Sequence, residues 1–382
     1  MTCTRGTAHR SLALGAGGVH HHRLGVGGAG HAPHEAIDAH GLPYCSGVTD
    51  PDVTDASPPP VLVWRWLPAA AALVAAIPAV LITALVDVES GAALALGMIP
   101  ALAIGIPRPR RRRVIILAAS AILGVPITLG AAVSPWPALA LATLLILPVL
   151  ATWGAQRLDR PRLSTLLIVL APPMVGIGLS LDGLSAGLRL TGLFIVGAII
   201  TFIVAVAIPE SRLPGSDGNA GSPPPRLPGV AYGLTLGVVG VITAGIGFAF
   251  DLDHVGWACA AALLVMRPDA ALQQWRTIGR FVSVLVGAAA AALLVESAPD
   301  SWVFAVAVGV VLAAAGGTRG SRWYILPAFT TFLVILMLTA DDVASAPGRF
   351  AERTGETALG LVVAAVIGFG APAVSRRFTR NR

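Results

Sequence analysis

Residues 251–287 read DLDHVGWACAAALLVMRPDAALQQWRTIGRFVSVLVG, and this stretch decides what kind of fold the chain adopts. An acidic corner of Asp251, Asp253 and His254 leads through Gly256-Trp257 into an apolar run that stops at Met266-Arg267-Pro268-Asp269. Arg276 and Arg280 then open a second apolar run that contains Gly287. The run from His254 to Met266 predicts a helix about 20 Å long, against the roughly 30 Å hydrocarbon core of a bilayer. A short, charge-flanked, proline-ended helix among longer apolar runs is where a membrane protein is expected to keep its site.

Composition places those runs in lipid. The 382 residues are 55% hydrophobic and 12% charged, whereas soluble domains carry about 25% charged residues. All 26 basic residues are arginine and the net charge is +6. The arginines sit in short loops between apolar runs, as the positive-inside rule requires, so nucleic acid is not the expected partner. Cys3, Cys45 and Cys259 have no metal or redox spacing; Cys259, in an apolar run, is expected to be a buried small hydrophobe.

Residues 1–60 form a polar tail rich in Gly, Pro and His, including the His20–His22 run, and lack the apolar area to fold alone. The expectation is a disordered cytoplasmic tail, with transition-metal binding by the histidines as the weaker reading. Residues 61–208 hold apolar runs at about 63–86, 90–106, 114–132, 136–153, 163–180 and 189–208. Residues 209–228 are a Pro/Gly linker. Residues 229–371 hold runs at about 229–250, 254–267, 278–295, 302–318, 323–340 and 352–371, and residues 372–382 are a basic tail. The expected fold is all-α: a polytopic transmembrane helical bundle of about twelve spans.

Charge patterning supports that count. With the spans alternating from a cytoplasmic amino terminus, Arg108, Arg110–Arg113, Arg157, Arg212, Arg267, Arg276, Arg280, Arg319, Arg322 and Arg376 fall inside. Asp87, Glu89, Asp182, Asp251, Asp253, Glu296, Asp300, Asp341 and Asp342 fall outside. Both termini are then cytoplasmic in a multi-pass protein of the cell membrane. Trp64, Trp66, Trp136, Trp153, Trp302 and Trp323 lie near span ends, as interfacial belts require.

The two halves also match. The short run 90–106 ends at Pro107-Arg108 as the short run 254–266 ends at Arg267-Pro268, and Trp136 answers Trp302. Arg189 answers Arg349 or Arg353. The pattern predicts two tandem six-helix repeats, the first degenerate, related by a pseudo-two-fold axis along the membrane normal.

Leu264-Val265-Met266-Arg267-Pro268-Asp269 after Trp257-Ala258, followed by Arg276, Arg280 and Gly287, resembles the fusaric acid resistance family. That family is also called the aromatic acid exporter or integral membrane bound transporter family. Arg353, Glu356, Thr357 and Gly360 match its second motif, Arg-x-x-Glu-Thr-x-x-Gly. The resemblance is clear over 230–370. It is faint in the first half, where Arg113, Ile116, Leu117 and Ser120 occupy the slots of Arg280, Ser283, Val284 and Gly287. The resemblance implies efflux of small amphipathic or aromatic carboxylate anions. A proton gradient is the expected drive, since no nucleotide-binding motif is present. The chain carries no motif of an enzyme, so no catalytic residue, metal or cofactor is expected.

Read from the residues alone, several roles stay open. Arg280 either snorkels to the interface or faces the bundle and, with Arg276 and Trp257, draws in an anion. Arg353 and Glu356, three apart on one helix, either pair with each other or gate a cavity and couple protons. Asp253 and His254 form a solvated turn, Asp253 as helix cap, or a proton pick-up point. Gly287 and Gly360 are expected to let neighbouring helices approach closely. An anion channel and a non-transporting membrane scaffold are the alternatives to a transporter. The partners are the lipid bilayer and a small organic anion, and association of identical chains stays open.

Overall fold

Among the described residues there are twelve α-helices, each formed where the apolar runs predict one. They are α1 (Trp66–Leu85), α2 (Val88–Ile104), α3 (Ile115–Val133), α4 (Pro137–Arg157), α5 (Pro161–Leu179) and α6 (Gly183–Ala207). After the linker come α7 (Val230–Ala249), α8 (Val255–Val265), α9 (Ala270–Glu296), α10 (Ser301–Gly317), α11 (Leu326–Thr339) and α12 (Ala346–Arg380). A computed structural model describes residues 62–157, 161–213, 228–267, 270–297, 300–322, 324–339 and 346–380, and there is no strand among them. The histidine-rich tail, most of the linker, Pro268-Asp269, Trp323 and Asp341-Asp342 lie outside the described residues.

Among the described residues six helices are long and apolar enough to cross a membrane: α1, α3 with the 3-10 turn before it, α4, α6, α7 and α9. Large apolar side chains such as Leu85, Val125, Ile203, Leu293, Val310 and Val366 are exposed along the helices. A molecule with so much exposed apolar surface is a multi-pass membrane protein in contact with lipid. Trp64, Trp66, Trp136, Trp153 and Trp302 are exposed at helix ends, as an interfacial belt requires.

The helix ends gather at two poles. At one, the Arg65 amide donates to the Gly317 carbonyl at 2.8 Å and the Arg110 amide to Glu210 at 2.8 Å. At the other, Ser301 bonds the Ala84 carbonyl at 3.3 Å, Arg189 pairs with Glu89 at 3.3 Å and Arg349 with Asp253 at 3.5 Å. The first pole is basic and the second acidic.

The short helices are interior. In α8, ten of the eleven residues are buried, with only Leu264 partly exposed. A helix apolar on all sides belongs in a core, and α8 packs between α5, α7 and α12. Its approach to α5 is so close that Gly176 and Gly256 meet backbone to backbone, with no room for a side chain on Gly256. α2 is buried in the same way against α1, α6, α10 and α11.

Four boundaries differ from the sequence reading by six residues or more. α6 starts at Gly183 rather than 189, α9 at Ala270 rather than 278 and α12 at Ala346 rather than 352, and α12 runs to Arg380 through most of the stretch read as a basic tail. The turns added to α9 carry Gln273, Gln274 and Arg276, which form helix readily but have no apolar signal, and α12 opens on Ala346-Pro347, a proline suited to a first helical turn.

Candidate functional site

The N-terminal ends of α8 and α12 meet at the acidic pole and bring together residues nearly a hundred positions apart. Asp253 is not the cap of α8: His254 occupies the N-cap position and makes no side-chain cap bond. Asp253 is drawn away by Arg349, whose guanidinium also pairs with Glu352 at 2.9 Å. Glu352 in turn meets His254 Nδ1 at 2.5 Å. The result is a chain of four polar groups, Asp253–Arg349–Glu352–His254, that fastens the α8 corner to the first turns of α12. Glu352 was not singled out from the sequence, and Arg349 only as a counterpart of Arg189; the three-dimensional proximity of α12 to the corner marks their role.

Beneath this chain lies Trp257. Its indole is 5% exposed, stacks on His254 at 4.0 Å between ring centroids and carries the Arg353 guanidinium 4.4 Å from its ring centre. Cation–π contact of this kind contributes about 0.5–2 kcal/mol, most where water is excluded. Arg353 therefore lies on Trp257 and forms no ion pair with Glu356, although the two are one helical turn apart. Both carboxylate oxygens of Glu356 are buried without a hydrogen-bond partner among the described residues, as is the Nε of Arg353. The His254 backbone amide is directed at the Glu356 carboxylate but does not reach it in hydrogen-bond geometry.

Arg280 reaches the same level from α9. Its Nε is buried and unbonded, and the charged neighbour acting on it most is another arginine, Arg353. Arg276, one turn earlier, belongs with Arg267 and Tyr232 nearer the basic pole. There the Tyr232 hydroxyl donates to the Met266 carbonyl at 3.0 Å and Gln273 donates to the Ala364 carbonyl of α12 at 2.7 Å. The structure thus brings Arg280, Arg353, Glu356, Trp257 and His254 together and leaves Arg276 apart from them.

Gly360 and Gly287 are close-approach points. A methyl group on Gly360 would run into the Ala258 carbonyl group of α8, and one on Gly287 into the Ala328 carbonyl of α11. Cys259 is buried and unpaired in α8, with its thiol toward the Gly240 carbonyl at 3.8 Å.

A cleft of about 420 Å³ opens between the α7–α8 corner and α12, lined by Asp251, Asp253, Glu352 and Glu356 together with Leu252, Gly355 and Leu359. The described residues hold no group of three His, Cys, Asp or Glu side chains placed to bind a metal ion.

One buried charge escaped the sequence reading as a structural feature. Arg113, which the motif comparison placed in the slot of Arg280, is fully buried. Its guanidinium donates to the carbonyls of Pro107 at 3.0 Å, Arg108 at 3.1 Å and Ile208 at 2.9 Å, and to that of Ala205. A cation on the bare carbonyls ending α6 is favoured by the helix dipole.

Residues 242–367 match the model of the family described as fusaric acid resistance protein-like. The matched segment runs from within α7 into α12 and contains all of the candidate site residues, so the resemblance read from the sequence holds over that segment. No curated protein and no solved structure matches the chain.

Proposed function

We propose that this multi-pass protein is a transporter for small organic anions, aromatic carboxylates in particular, exporting them at the expense of a proton gradient. One observation carries the reading: Arg280 and Arg353 repel each other at the α8–α9–α12 junction, each with a buried, unbonded Nε. Two like charges brought out of water repel, and an anion seated between them would remove that penalty. A planar carboxylate suits arginine forks. Trp257 lies directly below and supplies an aromatic surface once His254 or Arg353 moves aside. Glu356, buried and unbonded one turn from Arg353, is the group that would take and release the proton.

The packing supports twelve passes in two six-helix repeats. α1 packs on α10 as α7 packs on α4, and α3 packs on α5 and α6 as α9 packs on α11 and α12. α2 packs on α6 as α8 packs on α12, and α5 touches α8 as α11 touches α2. Gly197 of α6 abuts the α2 backbone at Gly97 and Met98, and Gly360 of α12 abuts the α8 backbone at Ala258 and Ala262. The arginine-rich pole would be cytoplasmic, with both termini on that side of the cell membrane.

The direct test is efflux of benzoate-class acids from a sensitive host expressing R280A, R353A or E356Q, with protein amounts measured in parallel. Loss of resistance of tenfold or more at equal protein amounts is expected for each. Unchanged resistance in R280A and R353A would overturn the anion site.

A further inference from the structure

We infer that the cleft at the acidic pole is a binding site for a small amphipathic organic cation, a primary amine in class, with Glu356 as the carboxylate that receives its ammonium group. The inference does not depend on the anion reading, because neither Arg280 nor Arg353 lines the cleft.

Four carboxylates, Asp251, Asp253, Glu352 and Glu356, border one opening. Two of them are committed elsewhere: Glu352 holds His254 and Arg349, and Arg349 also holds Asp253. Asp251 at the rim makes no ion pair among the described residues, and Glu356 at the floor has no partner for either oxygen. Glu356 is only 5% exposed. A carboxylate buried in that state is strongly unfavourable unless a cation or donor reaches it. The cation its own helix could offer, Arg353, is turned onto Trp257 instead. The cleft therefore presents an unsatisfied acceptor at the bottom of an acid-rimmed opening, which draws in positive charge.

Size and lining choose the class of cation. About 420 Å³ is far more than one bare ion fills, and the described residues hold no three-ligand metal cluster. Pockets of roughly 300–1,000 Å³ hold small organic molecules. Leu252 and Leu359 supply apolar wall beside the carboxylates, so an amine with a hydrocarbon body fits better than a hydrated inorganic cation.

The experiment uses the full chain in lipid nanodiscs, titrated calorimetrically with phenethylamine at fixed ionic strength. Sodium chloride and benzoate serve as the comparison ligands. Saturable binding of phenethylamine is expected, weakened about 30-fold or more in E356Q, since removing one partner of a buried charge pair costs that much. The double variant D251N/D253N, which leaves the buried residue in place, is expected to weaken binding several-fold. Matched sodium chloride should leave the affinity nearly unchanged. The inference is overturned by no saturable binding to the parent chain, by equal binding to parent and E356Q, or by equal displacement with sodium. If E356Q does not fold, unchanged affinity in D251N/D253N overturns it. Loss of benzoate efflux in R280A with phenethylamine binding intact would separate this site from the anion path.

Discussion

Replacing Gly360 by alanine should weaken the fold far more than one methyl group suggests, while the same change at Gly355, five residues earlier on α12, should not. An added Cβ at Gly360 falls well inside contact distance of the Ala258 carbonyl oxygen, 2.9 Å from its carbon and 3.1 Å from the Ala262 nitrogen. All three are backbone atoms of α8, so no side chain can rotate away. α8 cannot yield either, because Gly256 is pressed against Gly176 of α5 on another side. Relief requires α12 and α8 to part by about an ångström, and overpacking of this kind costs roughly 1–3 kcal/mol. At Gly355 an added Cβ meets nothing within 4 Å, so alanine gains only its helix preference, about 0.5–1 kcal/mol. Denaturant unfolding of the purified protein in detergent, followed by circular dichroism, should therefore separate the two variants by about 1.5–4 kcal/mol. Equal stabilities for G360A and G355A would refute the claim that α8 and α12 touch backbone to backbone.

Arg113 is expected to be a structural staple. R113A strips a cation from several buried carbonyls and should lower stability by about 3 kcal/mol or more in the same unfolding assay, with R113K recovering less than half because an ammonium cannot reproduce the fork. The passage of α8 between the poles is tested with D251C and Q274C in a chain whose own cysteines are replaced: both positions are exposed, and a membrane-impermeant thiol reagent should reach them from opposite sides of sealed vesicles. Labelling from the same side would refute the crossing.

The sequence showed the helices because each is a block of apolar residues bounded by Pro, Gly or charge, and inside a bilayer such a block has few conformations open to it. It singled out the 251–287 stretch because α8 is too short to cross lipid alone, and the structure encloses α8 on nearly every side. It did not show the partnerships. His254 and Glu352 are 98 residues apart, and Arg349 and Asp253 are 96 apart. No periodicity within α12 says which helix will face it. The spacing of Arg353 and Glu356 invited an intrahelical pair, but the indole of Trp257, brought in by α8, competes for the guanidinium and holds it. Arg113, which the faint first-half resemblance set against Arg280, has the opposite fate, because carbonyls from the end of α6 receive it and no acceptor receives the Nε of Arg280.

That divergence explains why a site would arise in one half of the molecule. Both halves fasten the start of their sixth helix to the start of their second: Arg189 of α6 reaches Glu89 of α2, and Glu352 of α12 reaches His254 at the head of α8. The polarity of the link is reversed, and so is its setting. The Arg189–Glu89 pair is 59% and 45% exposed, where screening leaves it worth at most about 1 kcal/mol. The His254–Glu352 pair is 13% and 18% exposed. In the first half the sixth-helix side of the link is a cation on the surface, and the buried Arg113, at the opposite pole, is occupied by carbonyls. In the second half the link is carboxylate-sided and sunk beside Trp257, leaving Arg280, Arg353 and Glu356 buried with atoms still unbonded. Unsatisfied buried charge is costly to a fold unless something binds there. Those buried charges thus lie in α9 and α12, inside the segment that matches the family model, and it is there that the proposed anion would be received.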